Sequence, residues 1–168
     1  MKPFRLWIYR LLMRWVPETR MFRFKVWMLR WAGVCVEDDV RICSSASIYG
    51  DGHLVLGKDV WLGPQVTISS SGSATVKICD YSGLAIQTTI LTGSHEVTPE
   101  DVRIFGKGIN QDVVVGKGCM IGACVTILPG VILADRILVA AGSVVTKSVD
   151  VPCSLVAGVP AEVKKRMG

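Results

Sequence analysis

The chain has 168 residues, of which 50% are hydrophobic and 20% charged, enough for one domain with a real core and too apolar for a disordered chain. Its net charge of +5 is unevenly placed: residues 1–30 carry eight Lys or Arg and one Glu, so the remainder sums to −2. Six cysteines with no C-x-x-C pair and no His at metal spacing exclude zinc-ribbon and dithiol-redox motifs, and predict reduced, buried thiols.

Residues 1–33 form a first unit, basic and aromatic, with four of the five Trp and three of the four Phe. Arg5, Arg10 and Arg14 interrupt its apolar start, so no secretory signal is expected and the mature chain is expected to begin at Met1. The stretch from Glu18 to Gly33 predicts a helix ended by Gly33, with Phe22, Val26 and Leu29 on its apolar side. Two roles fit it: a cap over an exposed strand edge, or peripheral contact of residues 1–31 with an anionic membrane at its inner face. The positive charge also suits nucleic acid, but no recognition motif accompanies it and no nucleic-acid partner is expected.

Residues 34–150 carry a repeat. Val115, Ile121, Ile127, Leu133, Val139 and Val145 are spaced by six without a slip, and earlier triplets keep the spacing: Val36, Ile42, Ile48; Leu56, Leu62, Ile68; Ile78, Leu84, Ile90. Six matches neither a helix nor one long strand; it suits a short strand and a tight corner, repeated, with three units to a coil. The residue after each aliphatic is often small, which we assign to sharp backbone corners, and the fourth after it is small or β-branched. The fifteen positions predict five stacked coils. The uncharged run Gly118 to Ala134 belongs to this pattern and is interrupted by Gly122, Pro129 and Gly130, so it is not read as a membrane span.

Between Ile90 and Val115 the repeat is broken by an insertion, the loop 95–112, which opens on His95 in "GSHEVTP". Its Ile104, Phe105 and Ile109 predict packing against a neighbour. His53, the second histidine, has the same place in its hexad after Ile48 and is expected to be structural. Residues 151–168 follow as a short basic tail with "GVPA" at Gly158 to Ala161.

These features resemble the hexapeptide-repeat acyltransferases over residues 36–167, and within them the sugar O-acetyltransferases of surface-polysaccharide pathways, where "GSHD" precedes a Pro. The resemblance implies an all-β fold, a left-handed parallel β-helix of about five coils with an N-terminal helical segment; handedness comes from it alone, since parallel crossovers are generally right-handed. It implies a cytoplasmic homotrimer that moves an acetyl group from acetyl-CoA, without a metal, to a hydroxyl of a sugar or glycan precursor, with His95 as general base. Glu96 and Phe105 are expected to contact the acceptor, although Glu96 orienting the imidazole or facing water stays open. Met120, Gly122, Ala140, Ala141, Ser143, Lys147, Lys164, Lys165 and Arg166 are expected to line the coenzyme A groove. Gly116 or Gly122 would offer the oxyanion a backbone N–H. The rivals are N-acetylation of a nucleotide-linked amino sugar and a non-catalytic scaffold. A β-helix carbonic anhydrase needs three zinc-binding histidines, and the chain has two.

Overall fold

In a computed structural model, which describes residues 1–100 and 102–167, the repeat winds into a left-handed parallel β-helix of three flat faces. Each face is a ladder of short strands. Val36, Leu56, Ile78, Val115 and Leu133 stack in register on the first face. Ile42, Leu62, Leu84, Ile121 and Val139 stack on the second, and Ile48, Ile68, Ile90, Ile127 and Val145 on the third. All fifteen point inward and are buried, so the core is three parallel columns of aliphatic side chains. Burying each contributes about 1.5–3 kcal/mol relative to exposure.

The small residue after each aliphatic has a different cause from the one expected. A Cβ on Gly116 would stand 2.6 Å from Ala134, and one on Gly122 would stand 2.6 Å from the Ala141 nitrogen, so smallness there answers to the close approach of the next coil. The sharp turn comes two residues later, where Asp39, Asp59, Gln65, Tyr81, Gln87, Cys124 and Arg136 take left-handed φ between 52° and 61°. Polar side chains hold corners to one another: Ser82 donates to the Gly116 carbonyl at 2.7 Å and accepts from the Cys119 N–H at 3.0 Å.

Two helices cover the first coil, α1 (Pro3–Met13) and α2 (Phe22–Trp31). The helix expected from Glu18 begins later, at Phe22, and the helical segment of residues 1–33 is two helices rather than one; the inner residues of α1, Leu6, Tyr9 and Met13, recur at helical spacing but lie among exposed aromatics that mask the period. In each ladder the N–H after the aliphatic donates to the aliphatic carbonyl of the next coil, as Glu37 N–H does to Leu56 and Cys43 N–H to Leu62. The carbonyls of Val36, Ile42 and Ile48 therefore have no preceding coil. Arg30 donates to Val36, Lys25 to Ile42 and Arg10 to Ile48, at 2.9, 3.0 and 2.9 Å. One cation thus closes each face, and Lys25, fully buried, also donates to the Pro17 and Glu18 carbonyls.

At the other end the expected basic tail is instead ordered structure. Val149 bridges to Leu133, and the strand Ser154–Gly158 adds to the second face beside Val139, forming a partial sixth coil. The strand Ala161–Arg166 then folds back antiparallel against it. Cys43 and Cys119 are buried as expected, whereas Cys35 and Cys124 are exposed because they stand on outward or left-handed corner positions.

Candidate active site

The insertion is a β-hairpin rather than a loop. Strand Gly93–Val97 pairs antiparallel with Phe105–Asn110, with His95 opposite Gly108 and an irregularity between His95 and Val97 that leaves Glu96 unpaired. Its base is fixed to the β-helix. Thr92, fully buried, accepts the Ser71 N–H on its hydroxyl at 3.0 Å, and its carbonyl accepts the Gln111 N–H at 2.8 Å. The arm leaves the corner between the third and first faces, and Thr98 closes its tip with bonds to Ile104 and Arg103.

His95 is exposed, and its ring meets the Phe105 ring edge to face at 5.7 Å. No side chain among the described residues hydrogen-bonds to it, so both ring nitrogens are open to a ligand or a second chain. Glu96 is exposed, with no carboxylate contact to the imidazole. Phe105 thus lies beside His95, as a residue of one small surface. The packing expected of Ile104 and Phe105 is not found within the chain: they are 68% and 55% exposed, and Val97 is 71% exposed. A groove of about 840 Å³ lies under α2, lined by Phe22, Arg23, Trp27, Glu37, Asp38 and Arg41 among others, and does not include His95. His53 stands exposed at the start of a first-face strand, after the equivalent corner two coils earlier.

The residues expected along the donor groove separate into groups. Gly122, Ala140 and Ala141 form one corner of the fourth and fifth coils, where Ala140 N–H donates to Val156, Gly142 N–H to Ala123, and Ala141 N–H has no partner among the described residues. Met120 is half exposed on the second face, beside Gly83 and Leu138. Lys147, Lys165 and Arg166 are exposed, and Lys164 is paired with Glu162 at 3.3 Å. Ser143 is buried, and its hydroxyl accepts the Gly158 N–H at 3.2 Å, because the returning C-terminal strand covers it. The N–H groups expected for the oxyanion are engaged within the chain. Gly116 and Gly122 both donate along the ladders, to Leu133 at 3.0 Å and Val139 at 2.9 Å. The free corner amide of Ala141 was not singled out for that role, and no sequence signal distinguishes it from its bonded neighbours.

The thiols give no competing nucleophile in the core: burial pushes the Cys119 thiol up from its ordinary value, and Cys119 packs between Ala134 and Ile137. Cys124, expected to face packing neighbours, is instead exposed with its sulfur 3.2 Å from the Gln87 amide oxygen.

The family described as bacterial transferase hexapeptide (six repeats) matches residues 100–147, the second hairpin strand and the coils after it. Over those residues the chain matches the hexapeptide-repeat transferases. The putative colanic acid biosynthesis acetyltransferase WcaF of Escherichia coli (strain K12) is 29% identical over 134 residues, 80% of this chain and 70% of that one. Gamma carbonic anhydrase 2, mitochondrial, of Arabidopsis thaliana is 30% identical over 146 residues, 79% of this chain but 50% of that one. Among solved structures, a maltose O-acetyltransferase from Clostridium difficile 630 superposes with a TM-score of 0.73 at 22% identity, over 97% of this chain and 84% of that chain, a likeness of fold.

Proposed function

We propose that the protein transfers an acetyl group from acetyl-CoA to a hydroxyl of a sugar or glycan precursor, with His95 as general base. One observation carries this: an exposed imidazole, free of internal partners, on a hairpin whose base is fixed to a rigid β-helix. The likeness to an acetyltransferase of colanic acid biosynthesis supports a saccharide acceptor. Neutral imidazole takes the proton of the attacking hydroxyl as the oxygen bonds to the thioester carbon; the C–S bond then breaks, and the thiolate leaves with a proton returned by the imidazolium. Transfer is direct, without an acyl-enzyme.

Phe105 walls one side of the imidazole and Glu96 faces the acceptor. The pantetheine arm runs along the corner of Gly122, Ala140 and Ala141, with the Ala141 N–H as its donor, while Lys147, Lys165 and Arg166 meet the phosphates and Met120 covers the arm. Three chains assemble so that the hairpin of one, with Val97, Ile104 and Phe105, packs on the next and closes the site. An acyl-CoA donor places the reaction in the cytoplasm.

The test is release of free coenzyme A in the presence of hydroxyl and amine acceptors. His95→Ala should lower turnover by about 10²- to 10⁴-fold while the melting temperature stays unchanged, since the side chain is exposed and unbonded. Unaltered turnover in that variant ends the reading, and faster release with an amino sugar than with its hydroxyl analogue replaces O-transfer by N-transfer.

A further inference from the structure

The cap over the first coil has a second face. On α1 the residues Leu6, Tyr9 and Met13 turn inward and are buried. On the opposite side Phe4, Trp7, Leu11 and Trp15, at i, i+3, i+7 and i+11, form an exposed stripe; Trp15, just past the helix, is 87% exposed. Phe4 and Trp7 stack at 6.0 Å. α2 repeats the arrangement: Val26, Met28 and Leu29 are buried, while Trp27 and Trp31 are exposed and Phe24 stacks on Trp27 at 6.1 Å. Arg5 joins the two stripes, donating to the Trp31 carbonyl at 2.8 Å with its guanidinium 4.8 Å over the Trp31 ring.

Scattered exposed apolar residues are ordinary, but a continuous run of large aromatics over two helices is not. Its charge names the partner. Arg14, Arg20, Arg23 and Lys2 surround the stripes and make no side-chain hydrogen bond or ion pair among the described residues. The lone acid of residues 1–30, Glu18, turns inward to the Ser45 N–H and hydroxyl. Acids of the first two coils, Glu37, Asp38, Asp39 and Asp59, line one groove with Arg23, Trp27 and Arg30 of α2, and Asp38 pairs with Arg30 at 3.4 Å, so that side of α2 is of mixed charge. The stripe of α1 is different: Arg10, Arg14, Ser47 and Tyr49 surround Trp7 and Leu11 with no acid among them, which matches the interface of an anionic bilayer, with rings at the acyl boundary and guanidinium groups among the headgroups. With 11 residues, α1 is about 16 Å long and can only lie in that plane.

We propose that α1 docks the protein on an anionic lipid surface through Phe4, Trp7, Leu11 and Trp15. This is independent of the assignment of His95. Deleting the helices cannot test it, because Arg10, Lys25 and Arg30 would leave the edge carbonyls of the first coil open. Point variants of outward residues can. The full chain should sediment with phosphatidylglycerol vesicles at low salt, not with phosphatidylcholine vesicles, and should be released by high salt. A Trp7→Ser, Leu11→Ser variant and a Lys2→Glu, Arg14→Glu variant should each partition about tenfold or more weakly while keeping the melting temperature and the acyl transfer rate to a soluble acceptor. Sedimentation equal in all variants, or absent with phosphatidylglycerol, overturns the proposal. A lower oligomer mass of the Trp7→Ser, Leu11→Ser variant without lipid also overturns it, since the face is then a contact between copies of this chain.

Discussion

Asp80 shows how single side chains tie coils together. Its Oδ1 accepts the Lys58 N–H of the preceding coil at 3.0 Å and its Oδ2 pairs with Lys117 of the following coil at 3.3 Å; these contacts, the Lys58 bond first, hold its pKa below the ordinary carboxylate value. A depressed carboxyl contributes stability that is present above the unfolded pKa, about 3.9, and is lost as pH falls through the folded value. The melting-temperature advantage of the native chain over Asp80→Asn should therefore hold steady near neutral pH and shrink on acidification below the ordinary carboxylate range. Tyr9 presents the opposite case. Its hydroxyl is buried without a partner among the described residues, and burial raises its pKa. Tyr9→Phe keeps the ring and removes the desolvated oxygen, so urea denaturation should give a variant as stable as the native chain or more stable by about 1 kcal/mol.

Among the elements, the cap and the hairpin each solve an edge problem. A β-helix ends in a row of unpaired carbonyls, and here three cations meet one on each face. Lys25→Met retains bulk but leaves the buried Ile42 carbonyl without its donor, so stability should fall by about 1–3 kcal/mol in a denaturant titration. The hairpin was expected as a loop because its strands lack a buried face: Gly93–Val97 is exposed throughout, so the usual alternation is absent. Its pairing comes from the backbone and from the Thr92 anchor, neither of which leaves a hydrophobic period. The place of His95 was legible, since the spacing of six fails just before it, and the strand that carries it does leave the β-helix there. The burial of Ser143 was not legible, because its partner Gly158 lies 15 residues further on.

For the whole molecule, the exposed Val97, Ile104 and Phe105 are the residues that the proposed trimer would cover. Sedimentation equilibrium should report a mass three times the 18.2 kDa of one chain, and Ile104→Asp should lower it toward one while leaving the monomer folded. If trimer and activity are lost together in that variant, the site lies between chains. The sequence alone determined the coils, the core and the break that holds His95, because one inward aliphatic every six residues is a local requirement of a three-faced helix and every violation would put a polar group in the core. Only the tertiary structure decided which cations close the open end and which hydroxyl is covered. Those outcomes depend on contacts between residues far apart in the chain, for which neither composition nor period carries a signal.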